Sequence, residues 1–216
     1  MARPAVIFSG GNPLPRSPRD LIAPDAFVVA ADAGLHAARQ LGIRVDLLVG
    51  DLDSAEPTSV SAAEAAGTVI EAHPADKDAT DLELALLATS LRGLAPVRVI
   101  GGSSLDRIDH FLANALLLAA ERFAPLSLDW WVEDARVVVV RDTATLTGSE
   151  GDIVTILAVG GPVLGINTEG LRWRLAGGAL EPGSTRGVSN LMTSTRAAVT
   201  VARGTALVIH TGSPTP

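Results

Sequence analysis

The sequence predicts an α/β fold, a parallel sheet clothed in helices, followed by a smaller all-β part. Three observations predict it. Short Val- and Ile-rich runs alternate with helical patterns through the first half. After about Asp129 the helical patterning stops, and short strand-like runs separated by Gly, Pro, Asp and Thr take over. Hydrophobic residues make up 47% of the 216-residue chain, enough for a substantial core and against global disorder.

Ala5–Phe8, Phe27–Ala30, Asp46–Val49 and Val97–Ile100 read as strands buried on both faces, as in parallel sheets. Between them Gly34–Leu41, Thr58–Ala66 and Asp81–Leu91 read as helices, and Asp109–Arg122 as another, with Leu112, Leu116 and Ala119 at helical spacing. Such alternation implies right-handed crossovers, with ligands collecting at the carboxyl ends of the strands. Later runs, Val137–Val140, Ile153–Val159, Ala197–Val201 and Ala206–Ile209, suggest a β-sandwich or partial barrel. The boundary is expected near residues 125–135, giving parts of 1–130 and 131–216 that pack closely. No internal repeat is visible, and the terminal Ser-Pro-Thr-Pro is expected to fray.

Composition excludes several function classes. No cysteine is present, which removes disulfides, thiolate nucleophiles and Cys-type zinc sites. No apolar run approaches the ~18–20 residues that span a bilayer, so no membrane helix is expected. The opening residues read as a first buried strand, not a signal peptide. A net charge of −7 argues against a general nucleic-acid binder. A cytoplasmic location suits all of this. The charge is uneven: from Asp46 to Asp81 nine acids face one base, Lys77, the sole lysine. Either that segment is a solvated acidic face, or it holds a metal.

Spacing favours the metal. In Val49–Pro57 a strand runs into Gly50, then Asp51 and Asp53 stand two apart. In an extended segment such side chains share a face, so both carboxylates can reach one cation or two adjacent ones. Ser54 can cap the next segment or touch phosphate. In Asp76–Leu86, Thr80 or Asp81 caps a helix, whose start is a natural anion site. Asp81 can instead ligate metal, with Thr80 and Lys77 turned to phosphate. In Val99–Asn114 a strand ends in Gly101 and Gly102, then comes a loop, and a helix begins near Asp109. The layout can cradle phosphates, although it matches no standard nucleotide motif. Arg107 can neutralise a phosphoryl group, and Asp109 can cap the helix, bind metal or orient an acceptor hydroxyl. His110 reads as a capped or core-packed histidine. Asp32, in Ala31–Gly34, adds a further carboxylate at a strand end. Acids converging on one sheet edge suit Mg2+, which takes oxygen ligands and shares its shell with phosphates, as phosphoryl transfer requires.

Taken together, the stretches ADAG, VDLLVGDLDS, DKDATDLELAL, GGSSLDRIDHFLAN, GLRWRL and VSNLM resemble the thiamine pyrophosphokinase family in order and spacing, over roughly Val6 to Thr211. The resemblance implies a Rossmann-like N-terminal domain, a C-terminal β-sandwich that binds thiamine, and a homodimer with the active site between subunits. It implies transfer of the β,γ-pyrophosphoryl group of ATP to the thiamine hydroxyl, releasing AMP. By position, Asp51, Asp53 and Asp81 match the Mg2+ ligands. Lys77, Asp78, Thr80, Arg107 and Asp109 match residues that bind ATP phosphates or orient the acceptor. Trp173 matches the aromatic against thiamine, in keeping with the attraction of a Trp face for a flat cation. Ser189 and Asn190 match residues of the same pocket. The sequence departs from the family at Leu105 and Asp106, where glycines are usual; Asp106 adds negative charge beside the expected phosphate site. A pyrophosphokinase for another alcohol, such as a hydroxymethylpterin, and a non-catalytic nucleotide or thiamine sensor are the rival readings.

Overall fold

The computed structural model describes residues 2–10, 14–15, 17–53, 55–102 and 107–216. Ser54, Leu105 and Asp106, singled out above, lie outside the described residues. Six parallel strands form the first part of the sheet: β1 (Ala5–Ser9), β2 (Phe27–Ala31), β3 (Leu47–Gly50), β4 (Val69–Ala72), β5 (Val97–Gly101) and β6 (Leu128–Val132). Their order is β4-β3-β2-β1-β5-β6. Alternate residues of β1 serve opposite cores: Ala5 and Ile7 join one cluster, Val6 and Phe8 the other. Such double burial is why these strands read as unbroken apolar runs.

Four helices cross between the strands: α1 (Gly34–Gln40), α2 (Pro57–Ala65), α3 (Asp81–Leu91) and α4 (Ile108–Leu118). Helix α3 buries Leu82, Ala85 and Leu86 against one face of the sheet, and α1 buries Leu35, Ala37 and Ala38 against the other. Gly34 allows α1 to start directly on β1, because a Cβ there would collide with the Phe8 carbonyl.

Helix α4 corrects two expectations. It ends at Leu118, and Glu121–Leu126 is a 3-10 turn containing Pro125. Of the three residues at helical spacing, Leu112 and Leu116 are 57% and 61% exposed and Ala119, just past the helix, is buried; within α4 Asn114 and Leu118 are the buried residues. Spacing alone gives the stripe and not what covers it.

The rest is antiparallel: β7 (Ala135–Val140), β8 (Thr143–Thr147), β9 (Ile153–Glu169), β10 (Gly178–Leu180), β11 (Asn190–Leu191), β12 (Arg196–Thr200) and β13 (Arg203–Thr211). β6 pairs parallel with β5 and antiparallel with β7, and β13 joins β7 to β9, so one sheet continues through residue 130. The strand expected to stop at Val159 runs on to Glu169: it pairs with β13 as far as Leu164, then over Asn167–Glu169 with β12, itself paired to β8. Gly160, Gly161 and Gly165, all at positive φ, look like a turn in the sequence and serve to bend the strand. Leu146, Val154, Ile156, Val163, Ile166 and Val199 form the core between the layers. The C-terminal residues also depart from expectation: Thr215 donates its N–H to the Thr147 carbonyl at 2.9 Å. No helix among the described residues is long and apolar enough to cross a membrane.

Candidate active site

The order of the parallel strands reverses at β1, and the carboxyl ends around that switch point open a cleft of about 680 Å3. Ser9 and Gly10 line it from the end of β1, Asp32 from β2, Asp51 and Asp53 from β3, and Gly102 from β5. Thr80 and Asp81 come from the start of α3, and Arg107, His110 and Asn114 from α4 and the residue before it.

The acids are gathered by unusual backbone. Asp32, largely buried, has φ 44, a left-handed conformation rare outside glycine; its N–H donates to the Val49 carbonyl at 2.9 Å. Asp51 and Asp53 do converge, but not by strand alternation. β3 stops at Gly50, and Leu52 turns the chain at φ 64, with the Asp53 N–H donating to Asp51 Oδ1 at 3.3 Å. Leu52 meanwhile packs against the core. Carboxylate oxygens of Asp32, Asp51 and Asp53 lie within 4.8 Å of one another. Gly50, at φ 151, leaves the cradle open: a Cβ there would stand 3.0 Å from Asp32 Cβ and 3.1 Å from Asp81 Oδ1. Hard oxygen donors around such a cradle fit a divalent cation.

Asp81 joins this group through Lys77. The ammonium lies 2.6 Å from Asp51 Oδ2 and 3.1 Å from Asp81 Oδ1. The hydrogen bond from Lys77, aided by the Asp53 N–H, holds the Asp51 carboxyl below its usual range. Burial pushes Lys77 down, yet its two carboxylate partners outweigh that and raise it overall. Thr80 is the cap of α3: its Oγ1 accepts from the Glu83 N–H at 3.3 Å. The hydroxyl proton remains available to a ligand in the cleft.

The second glycine-rich turn is tightly fixed. Gly101 and Gly102 have φ 83 and 77, and a Cβ on Gly101 would meet the Ser9 carbonyl at 2.5 Å. Trp130 Nε1 donates to the Gly101 carbonyl at 2.6 Å, Gly102 N–H to the Gly10 carbonyl at 2.7 Å, and Asn114 Nδ2 to the Gly102 carbonyl at 3.0 Å. Beyond it, Arg107 grips Asp109 in a fork of 3.1 and 2.9 Å. That bond holds the Asp109 carboxyl down to about 2, although both side chains are exposed. Asp109 does not cap α4, whose N-terminal flanking residue is Arg107, without a side-chain cap.

Asp32, Asp51, Asp53, Lys77, Thr80, Asp81, Gly102 and Arg107 therefore share the cleft; Asp78, Gly101, Asp109, Trp173, Ser189 and Asn190 do not line it. Trp173 is 56% exposed with Arg172 5.0 Å over its ring. Asn190 fixes that segment from both sides: Oδ1 accepts from the Trp173 N–H at 3.0 Å, and Nδ2 donates to the Trp173 carbonyl at 2.7 Å. Ser189, at φ 59, donates its N–H to Thr155 Oγ1. Sequence reasoning missed Ser9 and Asn114, and it misread His110, which is exposed and lines the cleft. The available signal was the four-residue step from His110 to Asn114, which puts both on one helix face.

Fold and cleft define a two-part phosphotransferase: an α/β half with acids and a lysine at its carboxyl rim, continued by an antiparallel β half. Family models agree. That of the thiamin pyrophosphokinase catalytic domain matches residues 19–127, and that of the thiamin pyrophosphokinase vitamin B1 binding domain matches residues 139–206. The chain belongs to the thiamin pyrophosphokinase family. Among solved structures, thiamine pyrophosphokinase from Bacillus subtilis is 19% identical with a TM-score of 0.82, covering 98% of this chain and 100% of its own. A family protein from Enterococcus faecalis gives 23% and 0.80, with the same coverage. The yeast enzyme gives 13% and 0.73, covering 98% of this chain and 87% of its own. At these identities the likeness establishes the fold. No curated protein matches the chain.

Proposed function

We propose that the chain transfers the β,γ-pyrophosphoryl group of ATP to the hydroxyl of thiamine, giving thiamine diphosphate and AMP. One observation carries the reading: a chain that matches both the catalytic and the vitamin B1-binding parts of the family also converges carboxylates, a lysine and an arginine at the switch point of its sheet.

Asp32, Asp51 and Asp53 would hold Mg2+, with Asp81 completing the acid set; the ion supplies charge neutralisation to phosphate oxygens. Lys77, now shared between Asp51 and Asp81, turns to the phosphates when they enter. Arg107 adds positive charge where the bond to the α-phosphate breaks, and Asp109 orients the attacking hydroxyl once Arg107 releases it. Thr80 Oγ1 and the Gly101–Gly102 turn position the nucleotide. Most of the acceleration comes from positioning and electrostatics.

Thiamine sits against Trp173, with Ser189 and Asn190 at its pocket. Because these three do not line the cleft of their own chain, we place the complete site between two copies, as a homodimer. Exposed apolar surface on both halves supports this: Ile108, Leu112 and Leu116 form a stripe along α4, and Trp173 and Val188 stand out on the β half. The division near residue 130 and a cytoplasmic location belong to the same proposal.

The test is incubation with ATP, Mg2+ and thiamine, then mass analysis. Thiamine diphosphate with AMP supports the reading. ADP in place of AMP, turnover only with a pterin alcohol, or binding without turnover sinks it.

A further inference from the structure

A second cleft, of about 560 Å3, lies at the other end of the parallel sheet. It forms where β1, β5 and β6 begin, whereas the acidic cleft forms where β1 and β5 end, about 17 Å away along a five-residue strand. β7 and β8 close it from the antiparallel half.

Its charge is unlike that of the first cleft. Arg98 Nε and Nη2 each donate to the Asp129 carboxylate at 3.0 Å, and Arg136 Nε donates to the same group at 3.2 Å. Both guanidiniums lie over the Trp131 ring, at 5.5 and 5.4 Å. One buried carboxylate thus serves two arginines. A third, Arg141, donates Nη2 to the Ala119 and Ala120 carbonyls at 2.7 and 3.2 Å. Its Nε is shut off from solvent and makes no hydrogen bond among the described residues. Glu121 Oε2 is 3.7 Å from it, on a side chain 87% exposed. Burial pushes Arg141 down, and Glu121 acts the other way. The other acid lining the cleft, Asp142, faces solvent. Three guanidiniums therefore face one shielded carboxylate, beside apolar walls of Leu21, Val138 and Val139.

We propose that this cleft binds a small organic oxyanion, a phosphate or carboxylate carried on a short apolar body. Partly desolvated positive charge without full compensation attracts an anion strongly, and the guanidinium fork matches either head group. The volume suits a small metabolite. Since elements of both halves line it, an occupant would also tie the halves together.

The experiment is calorimetric titration of the Mg2+-free protein with phenyl phosphate and, separately, with benzoate. Saturable binding of either probe is expected. It should weaken tenfold or more in both Arg141→Gln and Arg136→Gln, and stay within about twofold in Arg107→Gln, which reports on the acidic cleft. The tighter probe names the head group. Arg136→Gln guards against misfolding, because Arg98 still holds Asp129 in that variant. Wild-type protein that binds neither probe, binding as tight as wild type in either cleft variant, or loss confined to Arg107→Gln overturns the proposal.

Discussion

Asp109 is the residue whose electrostatics the structure states most directly. Arg107 holds its carboxyl at about 2, against an ordinary value of 3.8. The folded pKa is depressed, so the attraction is complete above 3.8 and vanishes as pH falls through about 2. Arg107→Gln should return the Asp109 titration toward 3.8, read by carboxyl NMR; an unmoved titration would show that the pair does not persist in solution. Gly50 supports a second expectation at this scale. Gly50→Ala places a methyl against Asp32 and Asp81 in a backbone conformation that side chains rarely adopt. Metal-dependent turnover should fall tenfold or more, and wild-type turnover would refute the cradle. Residue types here were legible from sequence, since carboxylates after apolar runs are a local pattern. Their geometry was not. Asp51 and Asp53 meet through a left-handed Leu52, and a two-residue spacing cannot distinguish that turn from a strand.

At the scale of elements, side-chain clamps decide how segments are held. Asn190 pins the Trp173 segment by two hydrogen bonds, one from the Trp173 N–H and one to its carbonyl, while the Leu191 N–H also donates to Asn190 Oδ1. Asn190→Ala should raise the KM for thiamine several-fold with little change in the KM for ATP; equal changes in both would argue against a thiamine role. A second clamp joins the two ends of the β half. Asp152 Oδ2 accepts from Ser149 N–H, Ser213 N–H and His210 Nε2, the last at 2.8 Å with the histidine fully buried. Asp152→Ala strands those donors at about 1–3 kcal/mol each, which thermal unfolding should register. Neither clamp was visible in the sequence, where Ser189-Asn190 looks like a turn and Asp152 like a loop residue. The helices fared better, because their period is local. Which face of α4 meets the core is decided by neighbours, and there the apolar stripe misled.

For the whole molecule, the strand–helix alternation revealed the α/β half, and the loss of helical pattern revealed the β half. Strand order, the joining of the halves through β6 and the bend of β9 depend on pairings far apart in the chain, which no local pattern encodes. Assembly belongs to this scale too. If α4 carries part of a subunit contact, Leu112→Glu with Leu116→Glu should shift the sedimenting species from dimer to monomer. Thiamine diphosphate formation should fall with it, because each cleft would lose the Trp173 segment of its neighbour. A variant that stays dimeric and active would place the contact elsewhere.

A continuous sheet also limits how the chain can be divided. A fragment ending at residue 130 would be severed inside β6, leaving a raw strand border on one piece and, on the other, a β7 that keeps β13 but loses its second neighbour. Catalytic and vitamin-binding portions so joined should melt in one cooperative transition, and neither should be transplantable as an autonomous module.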